Sequence, residues 1–465
     1  MAGKEWQGEW HEAEEHADRA HELFERGRFP EAEAELRKAL AVDPDRGEWQ
    51  FNLGLTLEAA GRDEEALSCF RRAIELEPGA PEPFLAGGGC ANRLGRHDEA
   101  LTLLESAARI DPGNELAYSQ RIDALSSLGR HEEAETIYFV AQQRFEEMPR
   151  CLSAMGESLF SRGLHDRAAW CFREAIRQDP SLPRVRARLA AVMSADGQPQ
   201  KAVQLLLQEL REDPGNVETI LEFGAILVEL DRLPEAAEKF SRAVELEPAN
   251  AMAHWSLGDL ALQTGRPDQA VVEFELVQRL DPEYPSINLE LAEAYQRLGD
   301  VNAARSRLRA HLAVEESLTE TPESAVRVGG LLLDSGLFAE AALVLRDAVA
   351  QHAEEAALWR QLAYARFRAG DRSGGAEASL RLLELEPECA QAIHNLALAT
   401  LDGGELEQAK SWITRGLTTW PNDSGFRHLR TRLWLARAGR WATGVSMHAR
   451  LAARRVRRWI ARIFR

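Results

Sequence analysis

The chain has 465 residues, too many for one hydrophobic core, so it is either several domains or a repeat array. With 45% hydrophobic and 28% charged residues it has the composition of a folding chain, and 56 Lys plus Arg against 75 Asp plus Glu give −19, a sign that repels phosphate backbones and argues against nucleic acid as a partner. The charge is uneven: residues 424–465 hold twelve Arg and no Asp, Glu or Lys, which leaves 44 basic and 75 acidic residues, −31, in the preceding 423.

Met1 to Trp6 runs into acidic residues without an apolar stretch, and no later segment approaches the roughly 18 uncharged apolar residues of a membrane-spanning helix. Cys69, Cys90, Cys151, Cys171 and Cys389 are odd in number, far apart and without a C-x-x-C pair, which predicts neither a disulfide framework nor a zinc ribbon. Both observations predict a cytoplasmic protein. Residues 1–12 read as an acidic lead-in.

From there the sequence is periodic. Acid-Pro dipeptides place Pro at 44, 78 and 112, at 180, 214, 248 and 282, and at 387, in steps of 34 except for three extra residues between Pro282 and Pro387. Gly27, Gly61, Gly95, Gly129, Gly163 and Gly197, then Asp231 in the glycine's place, then Gly265, Gly299, Gly336, Gly370 and Gly404 follow the same period, and only the step from Gly299 to Gly336 is 37.

Counted from 14 residues before each turn position, the eighth place is Gly or Ala in eleven of twelve units, Ile122 being the exception, and the twentieth, from Ala32 to Ala409, holds nothing larger than a methyl group. Small residues on either side of a turn let two antiparallel helices approach closely, with Leu53 and Phe70, Phe223 and Phe240, or Leu257 and Phe274 filling the seam. Each unit is therefore predicted to be a helical hairpin. The turn residue ends its first helix in the left-handed conformation, which Asp231 tolerates better than most residues, and the acid-Pro pair ends the second helix. Pro81, Pro149, Pro183, Pro285 and Pro322 are placed at the start of the next first helix. Irregular packing is expected at Ile122, at Gly87-Gly88-Gly89 and at the unit from Pro285 that carries the extra residues.

Asn52-Leu53-Gly54, Gly61-Arg62, Glu65-Ala66, Phe70, Ala73 and Glu77-Pro78 resemble the signature of the tetratricopeptide repeat, and the likeness extends over about twelve units, residues 13–423. The resemblance implies an all-α, right-handed solenoid whose first helices line a concave groove offered to a protein or peptide. Carried onto this chain, the groove places read Leu221 and Val228, Trp255 and Leu262, Leu289, then Val326 and Leu333, an apolar run. Earlier units offer Glu48, Glu58, Glu82, Asp123 and Glu157, with Arg150 and Arg184 among them, an acidic wall suited to a basic ligand. Some family members clamp a C-terminal carboxylate with Lys and Asn; the nearest approach here, Arg360 and Tyr364 with Asn395, lacks a third partner.

Chemistry is harder to find. His11-Glu12 with His16 is not H-E-x-x-H, because histidines five apart lie about 140° apart on a helix. His97, His131 and His165 recur at 34 residues in the place of Phe29 and Phe338, as half-buried packing residues. The glycine run lacks the Gly-Lys-Ser/Thr of a phosphate loop, and no nucleophile, base and orienter assemble, so no catalytic, cofactor or metal site is predicted.

From Val445 to Arg465 a helical reading puts Val445, Ala449, Ala452, Val456, Trp459, Ile460, Ile463 and Phe464 on one arc and Arg450, Arg454, Arg455, Arg457, Arg458, Arg462 and Arg465 on the other. Such a segment fits an interfacial helix on an anionic membrane, a cap on the last repeat, or a helix docked in an acidic groove. The sequence thus predicts a non-catalytic adaptor; the alternatives are a peripheral-membrane organiser anchored by this segment and the regulatory subunit of an enzyme on another chain.

Overall fold

A computed structural model describes residues 2–314 and 321–438, with side chains from Trp10 onwards. Among these residues there are twelve helical hairpins, a further helical stretch over 424–438, and no strand. The first hairpin pairs Ala2–Glu25 with Phe29–Val42, so one helix runs unbroken through position 12. The last pairs Ala390–Asp402 with Leu406–Thr419.

All eleven turn glycines have φ between 70° and 89°, and Asp231 has φ 56°. Around each of them the chain closes the same way. In the second hairpin Gly61 N donates to Glu58 O at 2.9 Å and Arg62 N to Leu57 O at 2.9 Å, and around Asp231 the corresponding bonds are 2.9 Å and 2.8 Å. These bonds satisfy carbonyls left open at the helix end.

The small places have the expected consequence. A Cβ on Gly54, Gly156 or Gly258 would lie 2.5–2.8 Å from the ring of Phe70, Phe172 or Phe274, so the absent side chain is what lets the ring of the second helix reach the backbone of the first. Phe70, Phe172 and Phe274 are fully buried. At the far end Phe426, in the stretch 424–438, makes the same approach to Gly416 and stacks on Trp420 at 6.1 Å.

The chain divides into two compact units, Met1–Pro248 and Ala249–Arg465. In the first, consecutive hairpins stack and successive first helices approach one another, closest between Glu115–Ser127 and Pro149–Ser161, whereas second helices make no comparable approach. The first helices therefore form the inner wall. In the second unit the same holds, closest between Pro322–Asp334 and Ala356–Arg368.

Three expectations need correction or refinement. The irregularity at Ile122 is present: Glu115–Ser127 packs more on Pro149–Ser161 than on its own partner His131–Arg144, because a fully buried Ile122 stands where other hairpins have no more than a methyl group. The glycine run, by contrast, does not interrupt its helix. Pro81–Arg93 is continuous, and a methyl group on Gly87 would meet Leu103 and Phe70 at an ordinary contact distance of 3.5 Å. Finally, Pro81, Pro149 and Pro322 do begin first helices, but Pro183 and Pro285 stand two residues ahead of Val185 and Ile287. Arg184 (φ 65°) and Ser286 (φ 56°) intervene in the left-handed conformation, the former held by Arg184 N donating to a buried Glu209 Oε1 at 2.6 Å.

Candidate inner-wall site

In the first unit the inner wall begins with a recess of about 140 Å³, lined by the apolar Ala17, Phe24, Leu36 and Leu55 together with His21, Asn52 and Thr56. Phe51, Leu55 and Leu85, at the fifth and ninth places of their helices, are half-buried and continue this apolar strip. The acidic reading of these units passed over it by attending to the second and twelfth places; an aromatic and two leucines at groove places were the available signal.

Of the acids expected on this wall, Glu58 and Glu157 are held by arginines and Glu48, Glu82 and Asp123 are not. Glu58 pairs with Arg93 at 2.6 Å, and Arg93 also holds Asp63 at 2.8 Å. Glu157 meets Arg188 at 2.9 Å, and Arg184 meets Glu222 at 2.8 Å as well as Glu218. Apart from Arg93–Asp63, which reaches a second helix, these pairs bridge neighbouring first helices and staple the wall. Glu48 and Glu82 point into solvent. Asp123 differs: among the described residues it has neither ion pair nor hydrogen bond, and desolvation by its surroundings, reinforced by the Glu157 carboxylate, raises its carboxyl to about 7. Glu157 is raised too, because burial outweighs Arg188 and Arg184. Cys90, beside Asp63 at 3.2 Å, is pushed up to about 12 by burial, which removes it as a nucleophile at neutral pH.

The expected apolar run divides between the two units. Leu221 and Val228, in the first, are half-buried. In the second, Trp255 is half-buried against the cluster around Phe274, and Val326 and Leu333 pack beside the cluster around Leu332. Leu262 and Leu289, by contrast, are core residues with 4% and 5% exposure. Their helices sit where one hairpin closes on the next, and Leu262 O also accepts from Arg297 Nη1 at 2.9 Å. Arg360 is occupied by Glu386 at 2.6 Å, and the Tyr364 hydroxyl accepts from Arg368 at 2.7 Å, so the carboxylate-clamp arrangement is not assembled.

His97, His131 and His165 open their second helices half-buried, His165 against Phe160 with centroids 5.6 Å apart. His16 meets Glu35 at 2.5 Å. No helix of the described residues is long and apolar enough to cross a membrane. The cationic segment, with Arg450, Arg454, Arg455, Arg457, Arg458, Trp459, Ile460, Arg462, Ile463, Phe464 and Arg465, lies outside the described residues.

Models of the tetratricopeptide repeat match residues 17–83, 153–217, 221–285 and 360–424, and again 91–156 and 261–316, more than half of the chain. The chain belongs to the tetratricopeptide-repeat family. Arrays of tetratricopeptide repeats are protein-interaction scaffolds, and this chain is one in that general sense. A comparison with the curated proteins finds no match. Solved structures similar in fold include yeast Tom70, at 16% identity over 92% of this chain and 96% of that one with a TM-score of 0.37. The Cut9-Hcn1 hetero-tetramer of APC/C matches at 16% identity over 89% and 95%, TM-score 0.38. Pseudomonas aeruginosa pilF matches at 22% over 52% and 94%, TM-score 0.38. These likenesses concern the tetratricopeptide fold alone.

Proposed function

We propose that this protein is a non-catalytic adaptor whose inner wall holds an extended or helical segment of a partner protein. The observation that carries this reading is the set of half-buried apolar side chains at groove places of first helices, above all the recess formed by Ala17, Phe24 and Leu55. Trp255, Val326 and Leu333 offer a second apolar stretch on the wall of the other unit. The arginine-carboxylate staples satisfy part of the wall charge internally, so apolar complementarity supplies the affinity and the remaining acids tune it.

A peptide-display selection against the immobilised full-length protein tests this. Selected peptides should bind the wild type and lose affinity for Leu55→Glu or Trp255→Ala, both of which keep the wild-type helical content. Peptides that bind all three proteins equally would sink the inner-wall reading.

A second reading rests on a separate observation, the twelve arginines without an acid in residues 424–465. It makes this segment the element that brings a cytoplasmic array to an anionic membrane surface.

A further inference from the structure

One hairpin departs from the packing rule at two adjacent places. From the second repeat to the twelfth, the seventh place of the first helix is Leu, Met, Phe or Val in nine cases; Gly87 is one exception and Arg121 is the other. Next to Arg121 stands the intrusive Ile122, completely buried. The pair Arg121-Ile122 thus replaces the large-small pair, such as Leu53-Gly54, that seats a second helix on a first. With Glu115–Ser127 turned toward Pro149–Ser161, a cleft of about 450 Å³ lies between the second helices His97–Ile110 and His131–Arg144.

The chemistry of this cleft is specific. Leu101, Leu125 and Ile137 line it with apolar surface, and Arg121 stands among them. The Arg121 Nε is buried and has no hydrogen-bond partner, and among the described residues Arg121 makes no ion pair. The other arginine of the cleft, Arg130, is already taken, 2.7 Å from Glu133 and 3.7 Å from Asp98. A guanidinium at a core place with an unanswered buried N–H is unfavourable unless an acceptor arrives. Its planar fork fits the two oxygens of a carboxylate. Asp98, Glu105 and Glu133 at the cleft's exposed rim, beside Thr102 and Thr136, disfavour every anion and a dianion such as phosphate more than a monocarboxylate, while the leucines and isoleucine favour a hydrocarbon body.

We propose that this cleft binds a small aliphatic monocarboxylic acid, its carboxylate on Arg121 and its chain on Leu101, Leu125 and Ile137. The site lies between two second helices and the first helix Glu115–Ser127, uses none of the groove places, and is independent of the adaptor reading.

Thermal unfolding of the full-length protein in sodium hexanoate, against sodium chloride and sodium phosphate at equal ionic strength, tests the proposal. Hexanoate should raise the wild-type midpoint beyond both reference salts. Arg121→Leu, which restores the residue type usual at this place, should begin at a higher midpoint and show no hexanoate-specific shift. Hexanoate acting no better than chloride, phosphate acting as well as hexanoate, or an equal hexanoate shift in Arg121→Leu would each overturn it. Should Arg121→Leu fail to fold, Ile137→Glu replaces it: a carboxylate at that half-exposed edge must abolish the hexanoate shift, and its persistence overturns the proposal equally.

Discussion

Gly224 and Phe240 sit so close that a methyl group on Gly224 would overlap Cε1 of the phenylalanine ring. Such an overlap cannot persist, so the ring, the helix or both must move in Gly224→Ala. At Gly87, in the equivalent helix of another hairpin, a methyl group would meet its nearest neighbours at 3.5 Å, an ordinary contact. Both substitutions gain about 0.5–1 kcal/mol of intrinsic helix preference. Overpacking costs about 1–3 kcal/mol, so Gly224→Ala is expected to destabilise its hairpin and Gly87→Ala to stabilise its own. Amide exchange in Val217–Glu229 and in Pro81–Arg93 reads each hairpin locally, which matters in an array that need not unfold as one unit. Equal effects at the two sites would mean that the seam is softer than its geometry.

The same contrast shows what was legible in the sequence. A positive φ and a missing Cβ each admit few residue types, so the turn glycines, Asp231 and the small eighth places could be read directly, and with them the hairpins. Burial on the wall depends on how the next hairpin lands. Leu289 shares its place with Trp255 and Val326, and Leu262 shares its place with Leu333, yet both are buried because neighbouring helices cover them. The arginine staples depend likewise on residues 27 or more positions apart, as with Glu58 and Arg93. Arg121 was legible in principle, as a charge in an otherwise apolar column, but its significance lies in the cleft and the unpaired Nε, which periodicity alone does not reveal.

Arg327 and Glu290 join two hairpins across the place where the period lengthens by three residues. Arg327 Nη2 lies 2.7 Å from Glu290 Oε2 and 2.6 Å from Glu293 Oε2, and the Glu290 side chain is only 8% exposed. Arg327→Met leaves that buried carboxylate without its guanidinium. A loss of about 2–3 kcal/mol is expected for the region spanning Ile287–Leu298 and Pro322–Asp334, at the lower end of what breaking a buried pair costs because Arg327 itself is partly exposed. Adding Glu290→Gln should recover part of it, since the stranded charge is removed. A double variant no more stable than Arg327→Met would show that packing by the arginine stem, and not charge, holds the junction.

The arginine-rich C-terminal segment is expected to bind vesicles containing an anionic lipid. Each arginine near such a surface contributes on the order of 1 kcal/mol, so replacing Arg454, Arg455, Arg457 and Arg458 with Gln should weaken binding by roughly three orders of magnitude. Raising salt should weaken the wild type as well, because exposed charges are screened. Co-sedimentation of the full-length protein with phosphatidylserine vesicles provides the measurement. A wild type that ignores them at low salt ends the membrane reading and leaves the adaptor reading untouched.

Asp123 supplies a pH dependence with a definite sign. Its carboxyl moves from an ordinary value of 3.8 up to about 7, first through desolvation and then through the like charge of Glu157. The folded state therefore holds this proton more tightly than the unfolded chain does. That advantage is complete below about pH 4 and is lost as pH rises through 7, so the group makes the fold progressively less stable across the window. Asp123→Asn has no such proton to lose. Its stability relative to the wild type should rise between pH 4 and pH 8 and then level off, as measured by urea denaturation at each pH. Asp123 is solvent-exposed, which screens both causes, so the change is small and its direction is what the measurement reads. In a Glu157→Gln background the Asp123→Asn difference should shrink, because the second cause of the shift is gone. A difference that stays flat from pH 4 to pH 8 would place the Asp123 carboxylate in water as free as that of the unfolded chain.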